Sequence, residues 1–182
     1  MSDALLATTS KPKIGGAIYR APLGTVLPTD ATSVLSEAYT SLGYVSDEGI
    51  KNNNTASTGD IKAFGGDTIV TYTEEKPDKF MFTLAEALNV NVLKAVYGDD
   101  NVSGSLSTGI AIEANSKEAE DYSWVVELVL KNGALKRIVI PSASIAEVGE
   151  IPYTDTDLLG YAVTLAAVPD KYGNTHYEYI KG

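Results

Sequence analysis

YSWVVELVLKNGALKRIVIPS, residues 122–142, reads as two apolar runs, Ser123 to Lys131 and Ala134 to Ile140, on either side of Asn132-Gly133. Asn-Gly favours a two-residue type I′ turn because both of its positions tolerate positive φ, so the stretch predicts a β-hairpin. A two-residue turn sets the expected register. Leu130 falls opposite Leu135, Leu128 opposite Arg137 and Val126 opposite Val139 on one face, with Glu127 opposite Ile138 and Val125 opposite Ile140 on the other. Away from the turn both faces are apolar. A hairpin with one wet face would alternate, so two apolar faces predict a second layer on one side and a helix or a neighbouring subunit on the other.

Working outward, short runs rich in Thr, Val, Ile and Tyr predict further strands at Ala17 to Arg20, Asp60 to Phe64, Asp67 to Glu74, Lys79 to Leu84, Thr108 to Glu113, Ile145 to Ile151, Tyr161 to Val168 and Tyr177 to Ile180. Strands of this length and spacing point to a mainly β protein, a β-sandwich or barrel. Alternation puts Phe80, Phe82 and Leu84 on one face, the expected core stripe. Helical periodicity occurs once: Asn89 is placed to cap Val90 to Tyr97, whose Val92, Leu93, Val96 and Tyr97 share a face, and Gly98 follows as the C-terminal stop. Residues 89–98 are therefore one short flanking α-helix. The stretch Asp47 to Gly59, containing Glu48, Lys51, Asn52, Asn53, Asn54 and Thr55, is too polar for core and predicts a long loop of the kind that carries function. Residues 1–16, with the Gly15-Gly16 hinge, read as an N-terminal arm that orders only against something else.

Composition removes whole classes of activity. The chain has 182 residues with 44% hydrophobic and 21% charged, so it should fold around one core. Fourteen Lys and Arg against 24 Asp and Glu leave a net charge of −10, which disfavours specific binding to nucleic acid or to anionic membranes. With no Cys there is no disulfide, thiolate metal site or thiol nucleophile. Met1 to Lys13 has only the apolar stretch Ala4 to Ala7 and no basic region before it, unlike a signal peptide, and nothing approaches the ~20 apolar residues of a membrane helix. Synthesis in the cytoplasm follows as an expectation, and the acceptor-like sites at Asn53 and Asn101 are then chance.

No catalytic, cofactor or metal site emerges. Gly15-Gly16 and Gly65-Gly66-Asp67 lack the Lys-Ser/Thr ending and following helix of a phosphate loop. Asp99-Asp100 and Asp155-x-Asp157 lack the Gly and the terminal Glu of a calcium loop and read as solvated turns. Glu147 and Glu150 have no third group beside them. His176, the sole histidine, reads as a strand residue near the C-terminus. The eleven Tyr are dispersed, as strand and interface residues are. What remains is an acidic, mostly β protein with apolar surface to spare, the profile of a protein made to assemble.

The segment Ala21-Pro22-Leu23-Gly24-Thr25-Val26-Leu27-Pro28-Thr29-Asp30-Ala31, followed by Leu42-Gly43-Tyr44-Val45-Ser46-Asp47-Glu48-Gly49, resembles the N-terminal region of the major tail proteins, or tail tube proteins, of long-tailed bacteriophages with non-contractile tails. The family pattern continues into a Phe-rich strand and a helix ending in Tyr-Gly, which look like Phe80 to Leu84 and Asn89 to Gly98. Ala21, Pro22, Gly24, Thr25, Leu27, Pro28, Thr29, Gly43 and Gly49 carry the motif. The similarity spans roughly residues 15 to 180, with Asp47-Glu48 where the family often has a Glu after Ser.

The resemblance implies a tail tube β-sandwich over residues 17–182, six copies of which form a ring whose inner strands join into a continuous barrel. Rings would stack through the arm and the loop 47–59, with Asp47, Glu48, Lys51, Asn52, Asn53, Asn54 and Thr55 as stacking residues. The second apolar face of the hairpin would then be an intersubunit or lumen surface. It further implies a virion location, partners in the tape-measure, tail terminator and distal tail proteins, and viral DNA passing through the lumen without specific binding. The alternatives are a tube protein of a contractile tail or related injection device, and a β-sandwich binding module decorating a virion.

Overall fold

The computed structural model describes residues 6–182, so the part of the expected arm before Leu6 lies outside the described residues. The strands are β1 (Ser10–Pro12), β2 (Ile18–Pro22), β3 (Thr40–Ser41), β4 (Lys51–Asn53), β5 (Ser57–Lys62), β6 (Thr68–Glu75), β7 (Lys79–Leu84), β8 (Val102–Ser105), β9 (Gly109–Ile112), β10 (Tyr122–Leu130), β11 (Leu135–Val148), β12 (Tyr161–Ala167) and β13 (Tyr177–Lys181), with one α-helix, α1 (Val90–Tyr97). The helix has the expected ends: the Asn89 side chain accepts from the Asn91 N–H at 3.0 Å, and Gly98, at φ 97°, donates to Lys94 O at 3.0 Å.

The hairpin forms, but in another register. Gly133 N–H donates to Leu130 O at 2.9 Å and Leu130 N–H to Ala134 O at 2.8 Å, closing a three-residue loop over 131–133. Gly133 (φ 88°) takes the left-handed position, whereas no described non-glycine residue has positive φ. Asn132 stays in the ordinary region, its side chain accepting from the Ala134 N–H at 3.1 Å. The turn is thus type I with a glycine bulge instead of type I′. The pairs become Val129↔Leu135, Leu128↔Lys136, Glu127↔Arg137, Val126↔Ile138, Val125↔Val139 and Trp124↔Ile140. The one-residue shift from the expected register puts the two charged residues opposite each other.

Nine strands join in one antiparallel sheet in the order β3-β2-β10-β11-β12-β7-β4, with β1 on β10 and β13 on β11 off that path. The chain is mainly β as expected, but its sheet does not close into a barrel: the ends of the path, β3 and β4, do not pair with each other. Residues 42–50 cross between the two edges instead, Leu42 N–H bonding Ile18 O at 2.9 Å, while Tyr44 O accepts from Ala85 N–H at 2.9 Å. The physical reason lies in β11, which is long enough to hold two neighbours on one edge, β13 along 135–139 and β12 along 143–148. The change of partner occurs at Pro141, which has no N–H to donate. There Pro141 and Ser142 bulge opposite Ser123, whose hydroxyl donates to Pro141 O at 2.7 Å.

Each face of the sheet has its own core. On one side Ile18, Phe80, Phe82, Leu84, Trp124, Val126, Ile138, Ile140, Val163 and Leu165 pack with Val92 and Leu93 of α1, and the Phe80, Phe82, Leu84 stripe points inward as expected. On the other side Ala21, Tyr39, Val125 and Val139 pack with Tyr19, Leu27, Leu35, Tyr177 and Tyr179. The cover of this second face is therefore the chain's own strap, residues 23–39, and not a neighbouring subunit or a lumen.

Arg137 fastens the strap. Only 1% exposed, it forms an ion pair with Glu127 (4% exposed) and donates to Asp30 O at 2.8 Å, Ser33 O at 2.8 Å and Ser33 Oγ at 3.1 Å. Lys13 donates to the other oxygen of Glu127 at 2.8 Å. The arm is consequently not wholly without a site on its own body: Lys13 sits on Glu127, and β1 pairs with residues 128–130 of β10. Replacing Arg137 by Ala strands a buried carboxylate and frees the strap, and is expected to destabilise the protein by about 3–5 kcal/mol. Thermal unfolding measures the loss, and limited proteolysis should cut first within residues 23–39.

Candidate assembly interface

Strands β5 and β6 form a ribbon separate from the main sheet. Its ends pair as Ser57↔Glu75 and Lys62↔Thr68, and Ala63 N–H to Asp67 O at 2.7 Å closes a tip of Phe64, Gly65 and Gly66. Gly65 (φ 117°) and Gly66 (φ 102°) adopt backbone closed to L side chains. Two-residue alternation sorts the ribbon into two faces. Pairing Ile61↔Val70 and Gly59↔Tyr72 makes one face largely apolar, with the Glu74 carboxylate over Gly59 toward its base. The pairs Asp60↔Thr71 and Thr58↔Thr73 make the other polar, with Thr71 Oγ1 donating to Asp60 at 2.7 Å. Ile61, Val70, Tyr72 and Ile69 are all exposed, as is Phe64 at the tip. A two-stranded ribbon is marginal alone in water, and an exposed apolar face on one marks a docking surface.

The ribbon is held at its base by Asp78. This buried carboxylate accepts from Asn52 Nδ2 at 2.6 Å and Thr175 Oγ1 at 2.5 Å, and lies 2.5 Å from His176 Nδ1. His176, expected to be a plain strand residue, instead precedes β13 and packs edge-on against Phe80 with ring centroids 5.3 Å apart. Burial pushes the Asp78 carboxyl upward, but the hydrogen bonds from Thr175, Asn52 and His176 outweigh it and hold the group below the usual Asp value. One carboxylate thus ties together β4, the chain leaving the ribbon and the C-terminal strand.

Residues 47–59 are not one open loop. Asp47 and Glu48 occupy a turn closed by Gly49 N–H to Ser46 O at 3.0 Å, and Glu48 pairs with Lys51 at 3.0 Å. Lys51, Asn52 and Asn53 are β4, paired with Met81, Phe80 and Lys79 of β7. Asn54 and Thr55 lie in the link to β5, where the Asn53 side chain accepts from Thr55 N–H at 3.0 Å. An edge strand whose side chains are solvated has the composition of a loop, which is why the two look alike in sequence. Asn53, Asn54 and Thr55 lie at the root of the ribbon, whereas Asp47 and Glu48 lie beyond the opposite end of β4. The outermost groups, Phe64 and the Ile61, Val70, Tyr72 face, were not singled out, although Gly65-Gly66 between two predicted strands was a hairpin signal.

The motif residues build the strap. Ala21 is buried under it, Pro22 O accepts from Thr25 N–H at 3.2 Å and Thr25 Oγ1 at 2.8 Å around Gly24 (φ 88°), and Leu27 packs on the second core. Pro28 and Thr29 lead into Asp30, whose carboxylate accepts from Thr32 N–H at 2.6 Å and Ser33 N–H at 2.5 Å. Those backbone hydrogen bonds hold its carboxyl down at about 2. Gly43 (φ 72°) leaves room for Glu86, which accepts from Tyr44 N–H at 2.9 Å.

Among the described residues no group of three or more His, Asp or Glu side chains is placed to hold a metal ion. No described helix is long and apolar enough to cross a membrane. A family model described as phage tail tube protein matches residues 12–181. No curated protein matches the chain.

Because Asp78 is held below its ordinary value, its clasp contributes stability that is present above the unfolded pKa and lost as pH falls through the folded one. Asp78→Ala is expected to lower stability by about 2 kcal/mol and to flatten the acid limb of the pH–stability curve. Urea unfolding of both proteins between neutral and acid pH measures this.

Proposed function

The chain belongs to the phage tail tube protein family, and on that premise we propose that it is the major tail tube subunit of a long-tailed, non-contractile bacteriophage. Members of this family are structural proteins of the virion that assemble into a tube. In our reading six copies close into a ring, rings stack, and the tube delivers viral DNA into the host cell. The subunit is made in the host cytoplasm and meets the tape-measure, tail terminator and distal tail proteins at the ends of the tube.

The observation that carries this reading is the ribbon. An apolar stripe of Ile61, Val70 and Tyr72, tipped by an exposed Phe64, gains nothing from its own body, so a second copy of the chain is the natural cover. We assign it the stacking contact, with Asn53, Asn54 and Thr55 at its root, Lys51 and Asn52 along β4, and Asp47 and Glu48 in the turn beyond the far end of β4. The same logic bears on the bore. The outward residues of β7 and β12, paired as Thr83↔Ala162, Met81↔Thr164 and Lys79↔Ala166, carry a single charge, that of Lys79, with no strap over them. Six subunits at −10 each bring about −60 charges to a ring. A lining with one cation per subunit in a strongly acidic tube holds phosphates weakly, as sliding DNA requires.

Negative-stain microscopy of concentrated protein tests the reading: rings or tubes of uniform bore are expected, and a strictly monomeric species by light scattering would overturn it. Val70→Glu is expected to abolish stacking while changing stability by no more than about 0.5 kcal/mol, as surface substitutions do. Stability is measured by thermal unfolding and tube length by microscopy. Thr164→Lys should leave tubes intact but slow DNA release from virions, with the effect fading as salt rises. Unchanged release at low salt would remove Thr164 from the bore.

A further inference from the structure

We propose that Asn132-Gly133 is a deamidation site gated by the fold: the closed hairpin loop keeps the Asn132 side chain as an amide, and opening of the loop lets it convert to aspartate and isoaspartate. The inference stands on the loop and does not depend on the assembly proposed above. Asn132-Gly133 is the one Asn-Gly sequence in the chain, and the attack meets least resistance there because the nucleophilic nitrogen belongs to a residue without a side chain. In the reaction hydroxide takes the proton of Gly133 N, which attacks Asn132 Cγ. The N–Cγ bond forms, the Cγ–Nδ2 bond breaks, and ammonia leaves with a proton from water, so that residues 132 and 133 share a cyclic imide. Water then opens one of the two ring carbonyls. One product is aspartate; the other is isoaspartate, whose main chain runs through the former side chain and is one methylene longer.

The loop opposes ring closure in three ways. The Gly133 N–H that must be lost donates to Leu130 O at 2.9 Å. The Asn132 side-chain oxygen accepts from Ala134 N–H at 3.1 Å, which fixes the carbon under attack. Asn132 also takes the third position of the type I turn, where ψ is about 0°. At that angle Cβ stands out of the plane of the 132–133 peptide group, whereas a planar five-membered imide needs it in that plane. The first residue of the loop is held in turn, Lys131 N–H donating to Thr9 O at 2.9 Å. Asn132 is itself exposed, so water reaches it freely and the barrier is conformational. With two hydrogen bonds of ordinary net strength to break, the folded loop is expected to react roughly thirtyfold more slowly than the open chain.

The two products have different consequences for the hairpin. Aspartate keeps the main chain and an oxygen for the Ala134 N–H. Isoaspartate lengthens a loop whose length sets the register, and so removes the pairing in which Glu127 faces Arg137. A chain that reaches isoaspartate while open is barred from returning to the native hairpin.

The test holds the protein in mildly alkaline buffer with and without an unfolding concentration of guanidinium chloride, samples it over days and cuts it with a Glu-specific protease. That releases residues 128–147, in which Asn132 is the only asparagine. Mass spectrometry reads the exchange of amide nitrogen for oxygen, and chromatography separates isoaspartate from aspartate. Conversion in the native sample roughly thirtyfold slower than in the unfolded one is expected; equal rates, or no conversion in either sample, overturn the gated site. When the converted mixture is diluted out of denaturant, isoaspartate chains are expected in the fraction that fails to refold and aspartate chains in the folded fraction on size-exclusion chromatography. An even division of isoaspartate between the two fractions overturns the link between loop length and register. Asn132→Asp, which adds the charge without the methylene, is expected to refold like the parent protein, and its failure to do so would assign the damage to charge and overturn that link as well.

Discussion

A carboxylate and a guanidinium facing each other across the central hairpin, both nearly removed from water, persist only if their remaining donors and acceptors are also occupied. Glu127 and Arg137 meet that condition by recruiting distant parts of the chain. Arg137 takes the carbonyls of Asp30 and Ser33, and Glu127 takes Lys13. The ion pair thereby adds a polar anchor to two segments: the strap over the second face of the sheet, and the arm along the edge of β10. With the strap in place, Val125, Val139 and the ring faces of Tyr19, Tyr177 and Tyr179 are covered, and the hairpin acquires the two dry faces that its composition demands.

The family motif takes on a physical meaning in this light. Its first block, Ala21 to Asp30, shapes a strap. Pro22 and Gly24 turn the chain out of β2, Leu27 supplies the apolar anchor, and Asp30 folds the backbone so that its carbonyl and that of Ser33 converge on Arg137. Asp30 itself is solvent-exposed, and its role is local, as an acceptor for two backbone N–H groups. Tyr39 closes the strap with its hydroxyl buried and unpaired, its pKa pushed up to about 12 by burial. The second face is thus covered well but not perfectly satisfied.

The same chain that spends so much structure on covering one sheet face leaves other surfaces bare. The ribbon keeps an apolar face in solvent, and the arm lies on its strand without burying a side chain. These elements share low local cohesion, with few packed apolar contacts of their own, and that is the physical condition for elements that take their final partners from another molecule. The Asp78 clasp, joining the ribbon's root to Thr175 and His176 before the C-terminal strand, gives the projecting element a rigid base.

Local patterns were legible from the amino-acid order alone. Alternation marked the Phe80, Phe82, Leu84 stripe, and capping chemistry marked α1 from Asn89 to Gly98. Asn132-Gly133 marked a reversal, and the motif around Pro22 and Thr29 marked the family. Each of these depends on neighbours within a few positions, so the chemistry of one segment suffices. Three things waited for the tertiary structure. The hairpin register turned on whether Asn132 would take positive φ, and the pairing of Glu127 with Arg137 belongs to the three-residue loop that formed instead. The cover of the second face comes from a strap about a hundred residues away in sequence, and no local pattern encodes which distant segment will satisfy a buried guanidinium. Residues 51–53 read as loop because an edge strand with solvated side chains differs from a loop only by its partner, and that partner, β7, is chosen by the fold of the whole chain.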